Sequence, residues 1–300
     1  MKSTKNISAS VRQRLLNRSK TDKRPFNELL QYYAMERFLY RLSKSSHARH
    51  YILKGGLMLR AWRSSEFRAT MDIDMLGRTS NSKANIVAQI RDIIALDVDS
   101  DGLVFDSDSI QTEQITEDAD YEGIRIRFRG LLGTARINMQ IDIGFGDIVY
   151  PEPEETDLPT MLDSPAPRLL CYSRESSIAE KFEAMVKLGF LNSRIKDFYD
   201  IWLLSRQFHF EQATLAEAIR LTFEQRGTVL PSNIDAFSET FIDAKQSQWT
   251  AFYKRLKHDH VPASFREIVA EVESFLVPAI SSIFQETPTI TSWRPAGLWL

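Results

Sequence analysis

The chain has 300 residues, of which 43% are hydrophobic and 26% charged, a composition typical of a globular protein with a substantial core. A formal net charge of −2 excludes a strongly basic protein that binds nucleic acid through its overall field. The single cysteine, Cys171, excludes an intrachain disulfide, and no apolar run is long enough to span a membrane, so we expect a cytoplasmic protein with no membrane partner.

Two helices are predicted near the amino terminus, at residues 8–22 and 26–43, because hydrophobic residues recur there at helical spacing. The region up to Arg24 is strongly basic, and a second basic stretch runs through residues 37–68. Each basic stretch is explained equally well as a solvated helix face or as a track for a polynucleotide.

Two glycines and a pair of aspartates follow in close succession. The segment Lys54, Gly55, Gly56 leads into a short helical pattern, and the alternation after it predicts a strand that carries Asp72 and Asp74. Glycines let backbone N–H groups close on a triphosphate, and the start of a helix adds favourable partial charge. Alternate residues of a strand share a face, so the two carboxylates repel each other unless a cation lies between them. Oxygen ligands of this kind suit Mg²⁺.

A third carboxylate is predicted on the same polar surface. After a helix at residues 83–96, apolar and polar residues alternate as far as about residue 150, which predicts a sheet with one buried and one polar face. Asp142 lies on the polar face of the last of these strands. It can therefore join Asp72 and Asp74 in a site for two metal ions.

Two other patterns in this region have more than one interpretation. Three arginines alternate along one strand and can either bind phosphates or pair with neighbouring acids: Arg125, Arg127 and Arg129. The acidic segment at residues 97–102 resembles the first half of a calcium-binding loop, but a strand rather than a helix is predicted after it. We therefore favour an acidic turn over a calcium site.

The second half of the chain is predicted to be mainly helical. A segment rich in proline and acids, residues 151–167, precedes it and is typical of a boundary or a crossing segment. Asp197 and Asp200 share one face of a predicted helix, and Lys181 on the preceding helix can pair with either. Taken alone, these residues favour a local ion pair between two helices over a catalytic role.

The ordered series of motifs resembles the AbiEii-type nucleotidyltransferase toxins, which belong to the DNA polymerase β-like nucleotidyltransferase superfamily. The resemblance extends over most of the chain, and the series is far more specific than any one motif. The segments that carry it are Lys54-Gly55-Gly56, Thr70-Met71-Asp72-Ile73-Asp74, Gln140 to Asp147, Ile178 to Phe182, and Arg194 to Asp200.

The resemblance implies an α+β fold. Residues 1–165 would form a polymerase β-like nucleotidyltransferase core, a small mixed sheet with helices, and residues 166–300 a helical domain that contributes site residues. The implied roles are metal binding by Asp72, Asp74 and Asp142, with Mg²⁺ or Mn²⁺ as cofactor, and triphosphate binding by Lys54, Gly55, Gly56 and Lys181. Asp197 or Asp200 would support catalysis or order the site.

The implied activity is transfer of a nucleoside monophosphate from an NTP to an acceptor, with release of pyrophosphate. The expected acceptor is tRNA, and the expected setting is a type IV toxin–antitoxin system with a role in phage defence and a cognate antitoxin as partner. Two alternatives stay open at this point. The enzyme could modify a protein or a small molecule, or the chain could be a non-catalytic nucleotide-binding interaction module.

Overall fold

The computed structural model describes residues 6–64, 68–116, 122–256, 258, 260–284, 291–295 and 297–300. Lys2 and Lys5 of the first basic stretch lie outside these residues. The chain divides into two compact units: residues up to Gly146 together with Glu154–Cys171, and Asp147–Pro153 together with Tyr172–Leu300. The predicted domain division at residues 165 and 166 stays a prediction.

The first unit is built on one mixed sheet of seven strands. These strands are β1 (Tyr51–Lys54), β2 (Ile73–Gly77), β3 (Leu103–Thr116), β4 (Glu122–Leu132), β5 (Ala135–Phe145), β6 (Glu154–Asp157) and β7 (Arg168–Cys171). Their order across the sheet is β3-β4-β5-β2-β1-β7-β6. Strand β2 is parallel to β5 on one side and antiparallel to β1 on the other. The helices of this unit are α1 (Ile7–Thr21), α2 (Phe26–Lys44), α3 (Met58–Ala61) and α4 (Lys83–Ala95).

One face of this sheet is apolar and lies against α2. Phe38 of α2 packs on Phe105 of β3 and Phe128 of β4, with ring centroids 6.3 and 5.7 Å away. Phe128 is paired in register with Met139, so the buried side chains of β5 share this face. The opposite face carries the alternating polar residues, among them Asp142. The predicted division into a buried and a polar face is therefore confirmed.

The segment at residues 151–167, predicted as a boundary or crossing segment, also contains a short strand that its proline-rich composition did not indicate. Strand β6 pairs antiparallel with β7 at the end of the sheet, between Pro153 and Pro159. Proline has no N–H to donate to a ladder and is tolerated at sheet edges, so a short edge strand is the form in which such a segment can join a sheet.

Part of the second basic stretch has neither of the predicted roles. Arg37 is 1% exposed and pairs with Glu36 at 2.8 Å. Arg41 is 6% exposed and pairs with Asp101 at 2.6 Å. These arginines are therefore internal ion-pair partners, unavailable to solvent or to a polynucleotide. Asp101 also accepts a hydrogen bond from the Leu103 N–H at 3.0 Å, which agrees with an acidic turn before a strand.

The second unit is mainly helical, as predicted. Its helices are α5 (Arg174–Leu188), α6 (Ile195–Gln207), α7 (Gln212–Gln225), α8 (Glu239–Leu256) and α9 (Phe265–Ile283), and its strands are β8 (Phe210–Glu211), β9 (Ser292–Arg294) and β10 (Leu298–Trp299). Phe198 of α6 packs against Phe241 of α8 and Phe265 of α9 in an aromatic core. None of the described helices has both the length and the hydropathy needed to cross a membrane.

Candidate active site

Three carboxylates converge on the polar face of the sheet in the first unit. One oxygen from each of Asp72, Asp74 and Asp142 lies within 4.8 Å of the other two. Asp74 on β2 is the direct neighbour of Asp142 on the parallel strand β5, and Asp72 immediately precedes β2. The structure thus brings together the three residues that the sequence predicted for the metal site. Asp72 lies just before the strand rather than within it, but its carboxylate still reaches the group.

Two cations flank the central carboxylates in one row across four strands. Lys54 of β1 is the register partner of Asp74, and Arg125 of β4 is the register partner of Asp142. Side chains of directly paired residues project to the same face. Arg125 grips Asp142 with two parallel hydrogen bonds, Nε to Oδ1 and Nη2 to Oδ2, both of 2.8 Å. These bonds raise the pKa of the Arg125 guanidinium.

Gly55 brings the backbone against the Asp74 carboxylate. Its φ is +71°, which is in the left-handed region, and a Cβ atom at this position would lie 1.9 Å from Asp74 Oδ2. Only glycine fits both constraints. The helix start that the sequence predicted here is short, with a 3₁₀ turn at Gly55–Leu57 and then four residues of α3. Because a helix this short has a weak dipole, the turn offers mainly its N–H groups to an anion.

Two residues beside this turn had no role in the sequence prediction. Thr70 Oγ1 donates a hydrogen bond to Asp72 Oδ1 at 2.6 Å, and the Thr70 N–H donates to the Tyr32 hydroxyl at 3.0 Å. A Cβ atom at Gly56 would lie 3.1 Å from Thr70 Oγ1 and 3.3 Å from Nη1 of Arg68. A hydroxyl and a guanidinium thus border the glycine turn. Residues two apart in an extended segment project to the same side. The spacing of Thr70 and Asp72 is therefore the feature of the sequence that could have indicated their contact.

The second unit brings together Lys181, Asp197 and Asp200. The Lys181 ammonium nitrogen is 3.2 Å from Asp200 Oδ2 and 3.7 Å from Asp197 Oδ1. Arg194 Nε donates to Asp197 Oδ2 at 2.7 Å. Both aspartates are almost completely buried, whereas 12% of the Lys181 side chain is exposed. The local ion pair that the residues alone favoured is present, and a role for these residues in the reaction stays a prediction.

A further cluster in the second unit surrounds Arg226. Its guanidinium lies 2.9 Å from Asp147, 2.8 Å from Glu183 and 3.5 Å from Glu180. Burial by itself would lower the pKa of Arg226, but the charges of Glu180 and Asp147 and the bonds to Glu183 raise it. Asp147 and Glu180 belong to the quoted motifs, but no pairing with Arg226 was predicted for either, because Arg226 lies far from both along the chain.

The alternating arginines of β4 all pair with acids. Besides the contact of Arg125 with Asp142, Arg127 pairs with Glu113 and Arg129 with Asp106, each at 2.8 Å. The interpretation as ion pairs with neighbouring acids is therefore confirmed for all three. The side chains of Arg127 and Arg129 are nevertheless 48% and 53% exposed.

Comparison with known proteins agrees with this geometry. The model of the family described as nucleotidyl transferase AbiEii toxin, type IV toxin–antitoxin system, matches residues 37–271. MenT4, a nucleotidyltransferase toxin from Mycobacterium tuberculosis, has a similar fold, with a TM-score of 0.51 and 15% identity over 92% of this chain and 98% of that chain. Two Helicobacter pylori structures also match, a protein assigned as a nucleotidyltransferase (TM-score 0.47, 13% identity, 85% of this chain and 96% of that chain) and JHP933 (0.45, 12%, 86% and 93%). No curated protein matches the chain by sequence.

Proposed function

Because the chain belongs to the AbiEii nucleotidyltransferase toxin family of type IV toxin–antitoxin systems, we propose that it transfers a nucleoside monophosphate from an NTP to an RNA acceptor, tRNA in particular. The observation that carries this proposal is the convergence of Asp72, Asp74 and Asp142 beside the Gly55 turn. Family membership itself establishes the enzyme class, the NTP substrate and an antitoxin as partner. The acceptor, the metal and the residue roles belong to the proposal.

The three carboxylates suit Mg²⁺ or Mn²⁺. Magnesium prefers carboxylate oxygens at about 2.1 Å in octahedral geometry, which places neighbouring ligand atoms about 3 Å apart. In this structure the three oxygens lie within 4.8 Å of one another. When held by these carboxylates, the metal would neutralise negative charge at the reacting phosphate and so lower the barrier to attack by the acceptor hydroxyl.

The chain's own residues would position the NTP for in-line displacement at the α-phosphorus. The N–H groups of Gly55 and Gly56 can donate hydrogen bonds to oxygens of the triphosphate, and Lys54 on the preceding strand supplies positive charge. Lys181 keeps the triphosphate-binding role that the family resemblance gives it, and Asp197 and Asp200 would fix its ammonium group. The acceptor hydroxyl attacks the α-phosphorus and pyrophosphate leaves.

Transfer of a nucleotide to the 3′ end of tRNA would block aminoacylation and hence translation. This consequence accounts for the toxicity of such an enzyme and for the need of an antitoxin, and it fits a role in phage defence. Support for an RNA acceptor comes from the polar, partly basic face of β4 and β5 beside the carboxylates.

The test is transfer of label from each α-³²P NTP, in the presence of Mg²⁺, to total RNA and separately to total protein. The expected result is labelled RNA of tRNA size with the intact enzyme and none with Asp72→Asn/Asp74→Asn. Asp99→Asn, which removes an exposed carboxylate elsewhere, is the matched control and should keep full activity. Label in protein alone would replace the RNA acceptor by a protein acceptor, and no label in either fraction would contradict the proposal.

A further inference from the structure

A large cleft in the first unit adjoins the carboxylates and has no part in the proposed binding of the NTP. Its volume is about 1100 Å³. Asp72 and Gln140 line its inner end, and the Gln140 side chain donates to Asp142 Oδ2 at 3.2 Å. The cleft therefore opens directly onto the candidate metal site.

The position of the cleft in the sheet suits the acceptor. The carboxylates lie where β2 meets β5, and the glycine turn follows β1 on one side of them. The cleft lies on the other side, over residues of β5, β4 and β3, and Asn27, Leu30 and Gln31 of α2 also line it. In-line displacement requires the attacking and leaving oxygens on opposite sides of the phosphorus. With pyrophosphate leaving toward the glycine turn, the attacking hydroxyl must enter from the β5 side.

The cleft has apolar residues in its lining, but one row of side chains from β5 and β4 is polar and basic. Alternate residues of β5 leading away from Asp142 are Gln140, Asn138 and Arg136, so the row from Asp142 to Arg136 is about 20 Å long. Arg127 and Arg129 of β4 lie beside this row as register partners of Gln140 and Asn138. Five positions thus present guanidinium or amide groups along one channel, and both groups hydrogen-bond to phosphates, riboses and base edges.

The three arginines of the cleft are available to a polyanion to different degrees. Arg136 is exposed and makes no ion pair or hydrogen bond with any residue in the described part of the chain. Arg127 and Arg129 are held by single carboxylates at the surface and keep about half of their side chains exposed. Exposed pairs of this kind are weak, so a phosphate can replace or share the carboxylate partner.

We infer that this cleft binds the single-stranded 3′-terminal segment of a nucleic-acid acceptor, with Arg127, Arg129 and Arg136 on its phosphates and its last hydroxyl at the carboxylates. This inference rests on the proposed function, because it assigns a place to the RNA acceptor. A row of about 20 Å accommodates several nucleotides of an extended strand. Among the residues that line the cleft no exposed aromatic ring offers stacking, so affinity comes from phosphate contacts and depends strongly on salt.

The test compares Arg127→Gln/Arg129→Gln/Arg136→Gln with a matched triple variant, Arg49→Gln/Arg91→Gln/Arg168→Gln. The control residues are exposed arginines of the same unit outside the cleft, and two of them also form surface ion pairs, both with Glu155. The measured quantities are the KM for an oligoribonucleotide of ten nucleotides, the salt dependence of its Kd, and the affinity of the enzyme for NTP with Mg²⁺. Far-ultraviolet circular dichroism verifies that each variant is folded.

The cleft variant should raise the KM for the oligoribonucleotide by at least about tenfold and reduce the slope of log Kd against log salt by about 2. Its NTP affinity and the properties of the control variant should match the intact enzyme. An unchanged KM and slope in a cleft variant of an enzyme that labels RNA would overturn this inference alone. Loss of NTP affinity instead would reassign the cleft to the nucleotide. An intact enzyme that labels no RNA would overturn the proposed function and this inference together.

Discussion

At the scale of single residues, Gly55 is where backbone conformation and the candidate chemistry constrain the same position. Alanine there meets a left-handed φ and a carboxylate oxygen 1.9 Å away. Gly133, in the same unit, has a φ of +60° but only an ordinary contact, with Ser8 Cβ at 3.6 Å. Alanine variants at the two positions therefore distinguish the effect of backbone strain from the effect of displacing Asp74.

We predict that Gly133→Ala lowers the free energy of unfolding by about 1–2 kcal/mol because it forces a left-handed alanine, and that Gly55→Ala lowers it by more because its Cβ atom also displaces Asp74. Only Gly55→Ala should lose nucleotide transfer, by about 100-fold, since a shift of about 1 Å in a catalytic group has that effect. Urea denaturation and initial rates of label transfer measure the two quantities. Equal activities of the two variants would show that the Asp74 position is not critical.

Thr70 is predicted to position Asp72 through its hydroxyl. Thr70→Val keeps the shape of the side chain and removes the 2.6 Å hydrogen bond, whereas Thr70→Ser keeps the bond. Groups that orient metal ligands typically change metal affinity by about 10–100-fold. The Mg²⁺ concentration for half-maximal activity should therefore rise at least about tenfold in Thr70→Val and stay near the original value in Thr70→Ser. A purely structural Thr70 would leave the Mg²⁺ dependence of both variants unchanged.

At the scale of elements, short-range periodicity correctly predicted which residues share one face of a strand. Alternation along β5 identified its buried face and put Asp142 opposite it, and the spacing of Asp72 and Asp74 gave their common side. The structure assembles these three residues as the pattern indicated. Their role in metal binding stays a prediction.

Long-range pairing was the part that periodicity could not supply. Local periodicity places Arg37 and Arg41 on a solvated helix face or a polynucleotide track, because it does not reveal that Arg37 is buried or that Arg41 pairs with Asp101, 60 positions away in sequence. The Arg226 cluster depends on partners as far as 79 positions away. Strand β6 was hidden by its prolines, since an edge strand tolerates residues that a central strand excludes.

Helices α5 and α6 are joined by the ion pairs of Lys181 with the two buried aspartates. We predict that Lys181→Met lowers the free energy of unfolding by about 3–5 kcal/mol, because it removes the cation that lies 3.2 Å from the buried carboxylate of Asp200. Lys181→Met/Asp200→Leu should recover most of this loss, since it removes one charge of each sign. Lys196→Met, an exposed lysine on α6, is the control and should change little.

The double variant also separates the two roles of Lys181. Nucleotide transfer should stay low in Lys181→Met/Asp200→Leu although its stability returns, because the triphosphate has lost its proposed cation. Recovery of activity along with stability would show that Lys181 only holds the two helices together. Initial rates with saturating NTP, measured below the unfolding transition, make this comparison.

At the scale of the whole molecule, the burial of Cys171 should make the stability of the fold depend on pH. It is the single cysteine of the chain, is 3% exposed on β7, and burial raises the pKa of its thiol from 9.0 to about 12. Above pH 9 the unfolded chain loses this proton while the folded chain keeps it. The contribution of the protonated thiol to the free energy of unfolding is therefore fully present below pH 9 and declines as the pH rises from 9 toward 12.

We predict that the free energy of unfolding falls between pH 8 and pH 10 by about 1–2 kcal/mol more in the intact protein than in Cys171→Ala. The comparison removes the contributions of tyrosine and lysine, which both proteins share. Urea denaturation at the two pH values provides the measurement. Parallel declines in the two proteins would mean that the thiol titrates alike in the folded and unfolded states.

We propose that the carboxylates of Asp72, Asp74 and Asp142 support the transfer of a nucleoside monophosphate from the NTP. The alternative reaction at such a site would be transfer of the terminal phosphate. The most direct measurement incubates the enzyme with Mg²⁺ and total RNA, using the same NTP labelled at either the α- or the γ-phosphate. We predict that RNA takes up the α label, that the γ label appears in pyrophosphate, and that Asp74→Asn abolishes both while Asp99→Asn does not. Uptake of the γ label into the acceptor, or α-label transfer that survives Asp74→Asn, would contradict this proposal.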